Sequence, residues 1–349
     1  MTGVDTRPSA RPTVAPPPGH PLLDLPSAVS PHRAELEAAI LEWAVRYELL
    51  DDERAREKLA RTRLGELVAR SYPTIIPSRV EAVAGWFTWA FVIDDCYEAW
   101  TGRYDEAAAR TMGVLTRQPA RDRSDTRLEA QLAAVWHRLA ADMSTEWRLR
   151  FAQHMGHFLA AFKYEAVNRR TGRVPELLGY TQLRRASGGI TPSLDLLQVA
   201  TGREVPALLH EFEQVHTMFN RTADVVVWVN DIMSLRKELA AGETTNGVLV
   251  LAEERGIGLQ EAIDEVYELV ARQIDQFEQA WAELEFVMHR WHGLEPGAVE
   301  AMRTFAGGMR SWMRGNLDWS GLSDRYQVTD GVLLATDPSL VMPTDRGTR

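Results

Sequence analysis

The sequence has 349 residues but only one cysteine, Cys96. A single cysteine allows no intrachain disulfide and no metal site built from cysteines, so any bound metal needs oxygen or histidine ligands. No apolar run approaches the ~18 residues that span a bilayer, and the N-terminus lacks the basic and then apolar layout of a secretory signal. These absences predict a cytoplasmic protein with no membrane span.

Basic residues are also in deficit, because 39 Lys and Arg face 49 Asp and Glu, for a net charge of −10. Proteins that grip phosphate backbones cluster Lys and Arg, so this balance predicts that the chain binds no nucleic acid. The composition is 45% hydrophobic, which is enough to bury one large core.

Strand signals are scarce, whereas helical periodicity begins at Pro31 and continues nearly to the end of the chain. The exception is the β-branched run Val225 to Val229, which we interpret as a buried helix because it continues a longer stripe of period 3.6. Pro and Gly divide the chain into some ten helices. The sequence therefore predicts an all-α protein.

Composition also predicts how the chain is organised. Residues 1–26 are rich in Pro with few apolar anchors and are predicted to be a disordered tail. No repeat or linker interrupts the middle of the chain. We therefore predict one domain over residues 27–328 and a C-terminal tail over residues 329–349.

The helix predicted over residues 81–100 has an apolar face that ends in acids. Phe91, Asp94 and Glu98 share this face, and Asp94 and Glu98 lie one turn apart, where their oxygens can hold the same hard metal ion. Asp95 lies about 100° round the helix and can support the site indirectly. The alternative is a helix end that emerges into solvent, and the short D-D-x-x-E pattern does not decide between the two.

A second polar pattern, W-V-N-D-I-M-S-L-R-K-E, occupies residues 228–238. Asn230, Ser234 and Glu238 are spaced to project from one side of a helix, and their amide, hydroxyl and carboxylate oxygens suit Mg²⁺. Lys237 returns to nearly the same side and can pair with a phosphate oxygen. Exposed polar residues are the alternative, but the preceding run is strongly apolar, and five specified residues at fixed spacing rarely coincide by chance.

Together these motifs resemble those of the bacterial class I terpene synthases. The aspartate-rich motif matches Asp94-Asp95-Cys96-Tyr97-Glu98, with Glu in place of the last Asp, and the second motif matches Asn230, Asp231, Ser234, Lys237 and Glu238. The resemblance spans roughly residues 31–326. It implies a single-domain helical bundle around a central cavity, a prenyl diphosphate substrate and three Mg²⁺ ions. Asn230, Ser234 and Glu238 are expected to bind one ion and Asp94 the other two, and Asp95 and Glu98 complete the predicted metal site in a supporting role.

The resemblance also implies roles for residues outside the two motifs. Arg184 stands where the family carries an arginine that senses the diphosphate, and Gly188 where it places a carbonyl that steers ionisation. Arg325 and Tyr326 match the pair that closes over the diphosphate. We expect the first helix to stop at Gly188-Gly189 and the next to restart with Thr191 as N-cap and Pro192 as its first residue.

A carbocation has to be stabilised by aromatic faces and shielded from water. Phe91, one turn before Asp94, and Trp319, six residues before Arg325, are the aromatic residues that we expect to line the cavity. Core packing at helical spacing is the alternative for each.

The functional hypothesis is a Mg²⁺-dependent cyclase that converts farnesyl diphosphate to a sesquiterpene and releases diphosphate. The alternatives, in order, are a diterpene cyclase acting on geranylgeranyl diphosphate, a trans-prenyltransferase, and a helical scaffold without activity. A prenyltransferase is expected to carry a second aspartate-rich motif instead of the Asn-Ser-Glu triad. The sequence leaves the oligomeric state open, with a homodimer as one arrangement.

Overall fold

A computed structural model describes residues 12–99, 102–116, 126–173, 176–242, 245–326 and 333–343. Within these ranges the chain contains α-helices, short 3₁₀ turns and no strands, which confirms the all-α prediction. No helix in these ranges is long and apolar enough to cross a membrane.

Fifteen α-helices follow one another in the described ranges. They are α1 (Pro21–Asp24), α2 (Arg33–Arg46), α3 (Glu53–Thr62), α4 (Leu64–Ser71), α5 (Val80–Ala99), α6 (Tyr104–Thr116), α7 (Arg127–Leu139), α8 (Thr145–Thr171), α9 (Leu177–Ser187), α10 (Ile190–Thr201), α11 (Ala207–His210), α12 (Glu213–Ala241), α13 (Gly247–Arg255), α14 (Leu259–Arg290) and α15 (Pro296–Ser320).

Helix α12 lies at the centre of the bundle and packs against α9, α10, α13, α14 and α15. Residues 225–229 belong to this helix and are almost completely buried, which confirms their interpretation as a buried helix. On the opposite side α5 packs against α2 and α7. The two helices that carry the polar motifs thus belong to the same core, and its buried apolar side chains form one cluster from Leu22 to Met342.

The prediction of a disordered N-terminal tail is wrong for residues 12–26. Leu22 is fully buried, His20 Nε2 lies 2.8 Å from the carbonyl oxygen of Tyr267, and the Tyr267 hydroxyl donates to the carbonyl of Val14. A few well-placed anchors on α14 are enough to order a Pro-rich segment, because prolines lose little conformational freedom on folding. Residues 1–11 lie outside the described part of the chain.

The C-terminal tail predicted over residues 329–349 also packs against the bundle where it is described. Leu334 and Ala335 are fully buried, and a 3₁₀ turn forms at Pro338–Leu340. The predicted boundary at residue 328 lies outside the described residues.

Candidate active site

The acidic end of α5 presents its two aspartates in different directions. The Asp94 side chain is 41% exposed, and its Oδ2 accepts a hydrogen bond from Arg325 Nη2 at 3.0 Å. The Asp95 side chain is 1% exposed, and its Oδ2 accepts from the backbone N–H of Leu334 at 2.7 Å. Of these two aspartates, Asp94 therefore offers the exposed carboxylate. The Glu98 side chain lies outside the described residues.

The second motif places its oxygen atoms along α12. Asn230 Oδ1 accepts from Arg184 Nη2 at 2.9 Å, and Asn230 Nδ2 donates to the Tyr326 hydroxyl at 2.8 Å. Ser234 is buried one turn further on. Glu238 Oε2 accepts from Asn246 Nδ2 at 2.7 Å. Burial, followed by the charge of the nearby Asp231, raises the pKa of the Glu238 carboxyl.

Asp231 organises this end of α12, although no separate role was predicted for it within the second motif. Its carboxylate accepts hydrogen bonds from the Tyr180 hydroxyl at 2.5 Å, Arg184 Nε at 2.9 Å and the Gly247 N–H at 3.1 Å. Asn246, the N-cap of α13, donates both to the Asp231 carbonyl and to Glu238. The motif contained Asp231, but no spacing pattern pointed to Tyr180 or Asn246.

Arg184 is held as a charged group by these neighbours. Burial opposes its charge, but the negative charge of the neighbouring Asp231 carboxylate favours it, and the pKa of the guanidinium lies well above its usual value. Burial and then Asp231 likewise raise the pKa of the Tyr180 phenol, which keeps it a neutral donor. The Arg184 guanidinium therefore meets the motif's oxygens in its cationic form.

Arg325 and Tyr326 connect the two motifs. Arg325 contacts Asp94 of α5, and its neighbour Tyr326 accepts from Asn230 of α12. Because these two residues are adjacent in the chain, both motifs must lie at the same end of the bundle. Lys237 is half-buried on α12 beside Glu238 and takes no part in the contacts described above.

Aromatic side chains lie directly beneath this polar end. The guanidinium carbon of Arg325 lies 4.7 Å from the ring centroid of Phe91, and Trp319 meets Phe91 edge to face at 6.2 Å. Trp319 is buried, and its Nε1 donates to the carbonyls of Thr62 and Arg63, which fixes its ring. The Phe91 ring thus already presents a face to a cation.

The predicted helix break between α9 and α10 is confirmed. Gly189 adopts a φ of 65°, which favours glycine, and a Cβ on Gly188 would lie 2.7 Å from Cγ1 of Val227 on α12. The predicted restart is wrong, because α10 begins at Ile190 with Gly189 as N-cap. Pro192 fits within the first turn because the N–H groups there need no helical acceptor, and it has no N–H to donate to the Gly188 carbonyl.

The oxygen atoms at this end suit a hard divalent metal ion. In the described part of the chain no three His, Cys, Asp or Glu side chains cluster as a metal site, so an ion at α12 would depend on amide and hydroxyl oxygens as well as Glu238. Such mixed oxygen sets suit Mg²⁺. The Asp94 and Asn230 oxygens each face a guanidinium, from Arg325 and Arg184. Both oxygens therefore already point towards positive charge.

The comparison with protein families agrees with this geometry. Residues 85–276 match the family described as "Terpene synthase family 2, C-terminal metal binding". The pristinol synthase of Streptomyces pristinaespiralis is 31% identical over 88% of this chain and 84% of its own. The (+)-T-muurolol synthase of Roseiflexus castenholzii is 30% identical over 86% of this chain and 91% of its own.

Solved structures show the same similarity in three dimensions. A linalool/nerolidol synthase from Streptomyces clavuligerus superposes with a TM-score of 0.77 at 26% identity, over 84% of this chain and 98% of that one. An α-eudesmol synthase superposes with a TM-score of 0.76 at 27% identity, over 84% and 96% of the two chains. The chain thus belongs to the terpene synthase family and is a terpene cyclase with a metal-binding domain.

Proposed function

We propose that the chain is a sesquiterpene cyclase, which ionises farnesyl diphosphate, closes the carbocation into rings and releases diphosphate. The (+)-T-muurolol synthase and a 4-epi-cubebol synthase of Streptosporangium roseum, 30% identical over 90% of this chain, are both described as cyclising (2E,6E)-farnesyl diphosphate. This similarity supports the C15 substrate over its longer homologue.

The observation that carries the proposal is the bridge made by Arg325 and Tyr326. It joins the exposed Asp94 of α5 to Asn230 of α12, directly above the ring of Phe91. A diphosphate needs positive charge around it to leave, and the allylic cation left behind needs an aromatic wall. Both requirements meet at one end of this bundle.

Asp94 on one side, and Asn230, Ser234 and Glu238 on the other, are the proposed ligands of Mg²⁺, with three ions in total. Bound Mg²⁺ neutralises the charge of the leaving diphosphate. The buried Asp95 is proposed to support the site without binding metal directly, and Glu98 completes the acidic motif.

Arg184, Lys237, Arg325 and Tyr326 are the proposed contacts of the diphosphate. Arg184 is already oriented by Asp231 and stays charged. Arg325 and Tyr326 also exclude water, since Tyr326 is buried against Trp319 at a centroid distance of 5.6 Å. Burial raises the pKa of the Tyr326 phenol, so it serves as a neutral hydrogen-bonding group.

Phe91, Trp319 and the carbonyl of Gly188 are the proposed surroundings of the cation. The two rings meet edge to face, and one already receives a guanidinium on its face. The Gly188 carbonyl lies at the negative end of the α9 dipole, where it favours positive charge. No wall residue named here is a strong nucleophile, which protects the cation from capture.

The test is to incubate the purified protein with Mg²⁺ and, separately, with C10, C15 and C20 prenyl diphosphates, and to identify products by gas chromatography and mass spectrometry. The C15 substrate is expected to give a cyclic hydrocarbon or alcohol. Cyclic product from the C20 substrate alone would make the chain a diterpene cyclase. Longer prenyl diphosphates formed only with isopentenyl diphosphate would instead indicate a trans-prenyltransferase.

Two further properties belong to the proposal. We place the enzyme in the cytoplasm, where fractionation of the source cells would detect it. Light scattering on the purified protein distinguishes a monomer from the proposed homodimer.

A further inference from the structure

Residues 333–343, which follow Tyr326 after a short interval, pack closely against the helical bundle. Leu334 and Ala335 are fully buried, and Leu340 is 1% exposed. Asp337 caps the 3₁₀ turn Pro338–Leu340 by accepting from the Ser339 N–H at 2.9 Å. We name these eleven residues the C-terminal strap. Terminal segments are usually poorly ordered unless contacts hold them, so this burial indicates that the strap is fixed to the bundle.

The strap is anchored to two separate parts of the bundle. The Thr336 N–H and hydroxyl both donate to Asp51 Oδ2, at 2.7 and 2.8 Å. Arg127, the first residue of α7, donates to Asp337 Oδ2 and to the carbonyl of Glu48, each at 2.6 Å. The strap therefore connects the loop after α2 with the start of α7.

The third anchor is Asp95, the second aspartate of the acidic motif. Its carboxylate is 1% exposed, accepts from the Leu334 N–H at 2.7 Å, and lies 3.8 Å from Arg325 Nη1. A buried carboxylate is costly unless hydrogen bonds satisfy it, and a bond from an N–H to a charged oxygen is among the stronger kinds. Arg325 also serves Asp94 and is proposed to bind diphosphate. The strap amide is therefore the closer of these two partners of Asp95, and it does not belong to the diphosphate site.

We propose that the C-terminal strap positions the acidic end of α5, with the Leu334 N–H holding Asp95 buried so that Asp94 alone faces the metal site. The two aspartates are adjacent on α5. If Asp95 lost its hydrogen bond to the Leu334 N–H, its carboxylate would move towards solvent and displace the helix end that carries Asp94. Leu334 is thus a positioning residue that acts through Asp95. This inference rests on the proposed role of Asp94 as a metal ligand.

The test is a double-mutant cycle on Leu334 and Asp95. Leu334→Pro removes the N–H, Asp95→Ala removes the acceptor, and the double variant removes both. The readout is the Mg²⁺ concentration that gives half of the rise in Tm produced by inorganic diphosphate, measured beside kcat and KM. Each single variant is expected to need about 10-fold more Mg²⁺, as for other groups that orient metal ligands. The double variant is expected to need no more than either single one.

Three matched controls separate positioning from stability alone. Leu334→Ala loses the buried side chain but keeps the N–H, so Tm falls while the Mg²⁺ requirement stays near that of the unmodified protein. Asp95→Asn keeps an acceptor oxygen and is expected to have a Mg²⁺ requirement close to that of the unmodified protein. Tyr267→Phe weakens the N-terminal segment at Val14 and is expected to lower Tm without changing the Mg²⁺ requirement.

Several results would overturn the inference. They are additive losses in the double variant, an equal Mg²⁺ requirement in Leu334→Ala and Leu334→Pro, or an Asp95→Asn variant as impaired as Asp94→Asn, which would make Asp95 a ligand. If Leu334→Pro does not fold, Thr336→Val loosens the anchor at Asp51 and is expected to shift the Mg²⁺ requirement in the same direction by a smaller factor. An unchanged requirement in Thr336→Val would then count against the strap.

Hydrogen exchange in the unmodified protein tests the strap without any substrate. The amide of Leu334 is expected to exchange slowly, and exchange at the rate of an unstructured peptide would overturn the inference. Different results would therefore refute the proposed function and the proposed role of the strap. A protein that makes no terpene but protects this amide would refute the proposed substrate and leave the strap in place.

Discussion

The two polar motifs lie at the same end of the bundle but are supported in different ways. On α12 the support is local, since Tyr180, Arg184, Asn246 and Gly247 come from the neighbouring helices α9 and α13 and meet at the buried Asp231. On α5 the contacts of the two aspartates come from Arg325 and Leu334, which are 231 and 239 positions away along the chain. The α12 motif is therefore oriented by the helices packed beside it, whereas the two aspartates of α5 depend on residues near the C-terminal end of the described chain.

The match to the terpene synthase family shows the same contrast. Residues 85–276 include both motifs and the four residues that meet at Asp231, but they exclude Arg325, Tyr326 and the C-terminal strap. The metal-binding region by itself therefore lacks the hydrogen bonds that Arg325 and Leu334 donate to the two aspartates of α5. A preorganised site binds its ligand without first ordering its own side chains. We expect substitution of Asp231 on the α12 side to damage the fold and the site together, and substitution of Arg325 on the α5 side to damage the site alone.

The largest effect is expected from Asp231→Ala. This change removes the carboxylate that accepts hydrogen bonds from Tyr180, Arg184 and Gly247. It also leaves the Arg184 guanidinium without this anionic partner. Breaking a buried ion pair on one side typically costs ~3–5 kcal/mol. We therefore expect a fall of that size in the free energy of unfolding, measured by urea denaturation, together with loss of detectable cyclisation.

The control for this change is Asp231→Asn, which keeps the shape and one acceptor oxygen. It is expected to unfold at a urea concentration between those of the unmodified protein and Asp231→Ala. Equal stability of Asp231→Ala and the unmodified protein would contradict the description of α12 as the internally supported end.

The second effect is expected from Arg325→Gln on the α5 side. The change removes a proposed diphosphate donor that also contacts Asp94 and lies over Phe91. Loss of one preorganised donor to developing negative charge typically lowers kcat by about 10²–10³-fold. We expect that loss in steady-state assays with little change in Tm, because the Asp94 side chain is 41% exposed and can be solvated by water.

A large drop in Tm for Arg325→Gln would show that α5 is supported as rigidly as α12 and would remove the contrast. Arg33→Gln is the matched control for loss of one arginine. It removes an exposed guanidinium that pairs with the buried Glu66, far from the motifs in the chain. It is expected to leave kcat unchanged.

The third effect is expected from Asn246→Ala. Asn246 Nδ2 donates to Glu238 Oε2 and to the Asp231 carbonyl, each at 2.7 Å. Without it the Glu238 carboxylate loses the donor that orients it, and such outer contacts are typically worth about 10–100-fold in metal affinity. A Mg²⁺ titration of activity is expected to move by that factor, with a smaller loss in kcat at saturating Mg²⁺.

Asn246→Ser is the control, because serine preserves an N-cap for α13 but cannot reach both acceptors. The same Mg²⁺ requirement in Asn246→Ser and the unmodified protein would show that Asn246 serves the helix and not Glu238.

Local sequence patterns encode one of the two motifs better than the other. The spacing of Asn230, Ser234 and Glu238 predicted one side of a helix because helical geometry is local, and α12 carries all three. The environment of Asp95 could not be predicted in this way, because the sequence shows its position on the helix but not the Leu334 amide that donates to it. A contact between residues so far apart depends on how the whole bundle closes, and no local pattern encodes it.

The Pro-rich start of the chain illustrates the same limit. Composition predicted disorder because few apolar residues were present, yet Leu22 is fully buried and Tyr267 holds the segment at Val14. The partners that hold this segment lie on α14, more than 200 residues later in the chain. Neither composition nor local periodicity shows a contact between residues so far apart.

The smallest effect is expected from Tyr326→Phe, which tests whether the motifs on α5 and α12 act together. The change keeps the ring against Trp319 and removes the hydroxyl that accepts from Asn230 Nδ2. One such hydrogen bond is worth roughly 0.5–1.5 kcal/mol, or about a 2- to 10-fold change in kcat. We expect kcat to fall by that factor, and more linear alcohol to form at the expense of cyclic product, because a looser closure admits water to the cation. Gas chromatography of the product mixture measures both. If the cyclic fraction is unchanged while kcat falls, Tyr326 aligns the α12 motif only, and the exclusion of water has to be assigned to Arg325 on the α5 side.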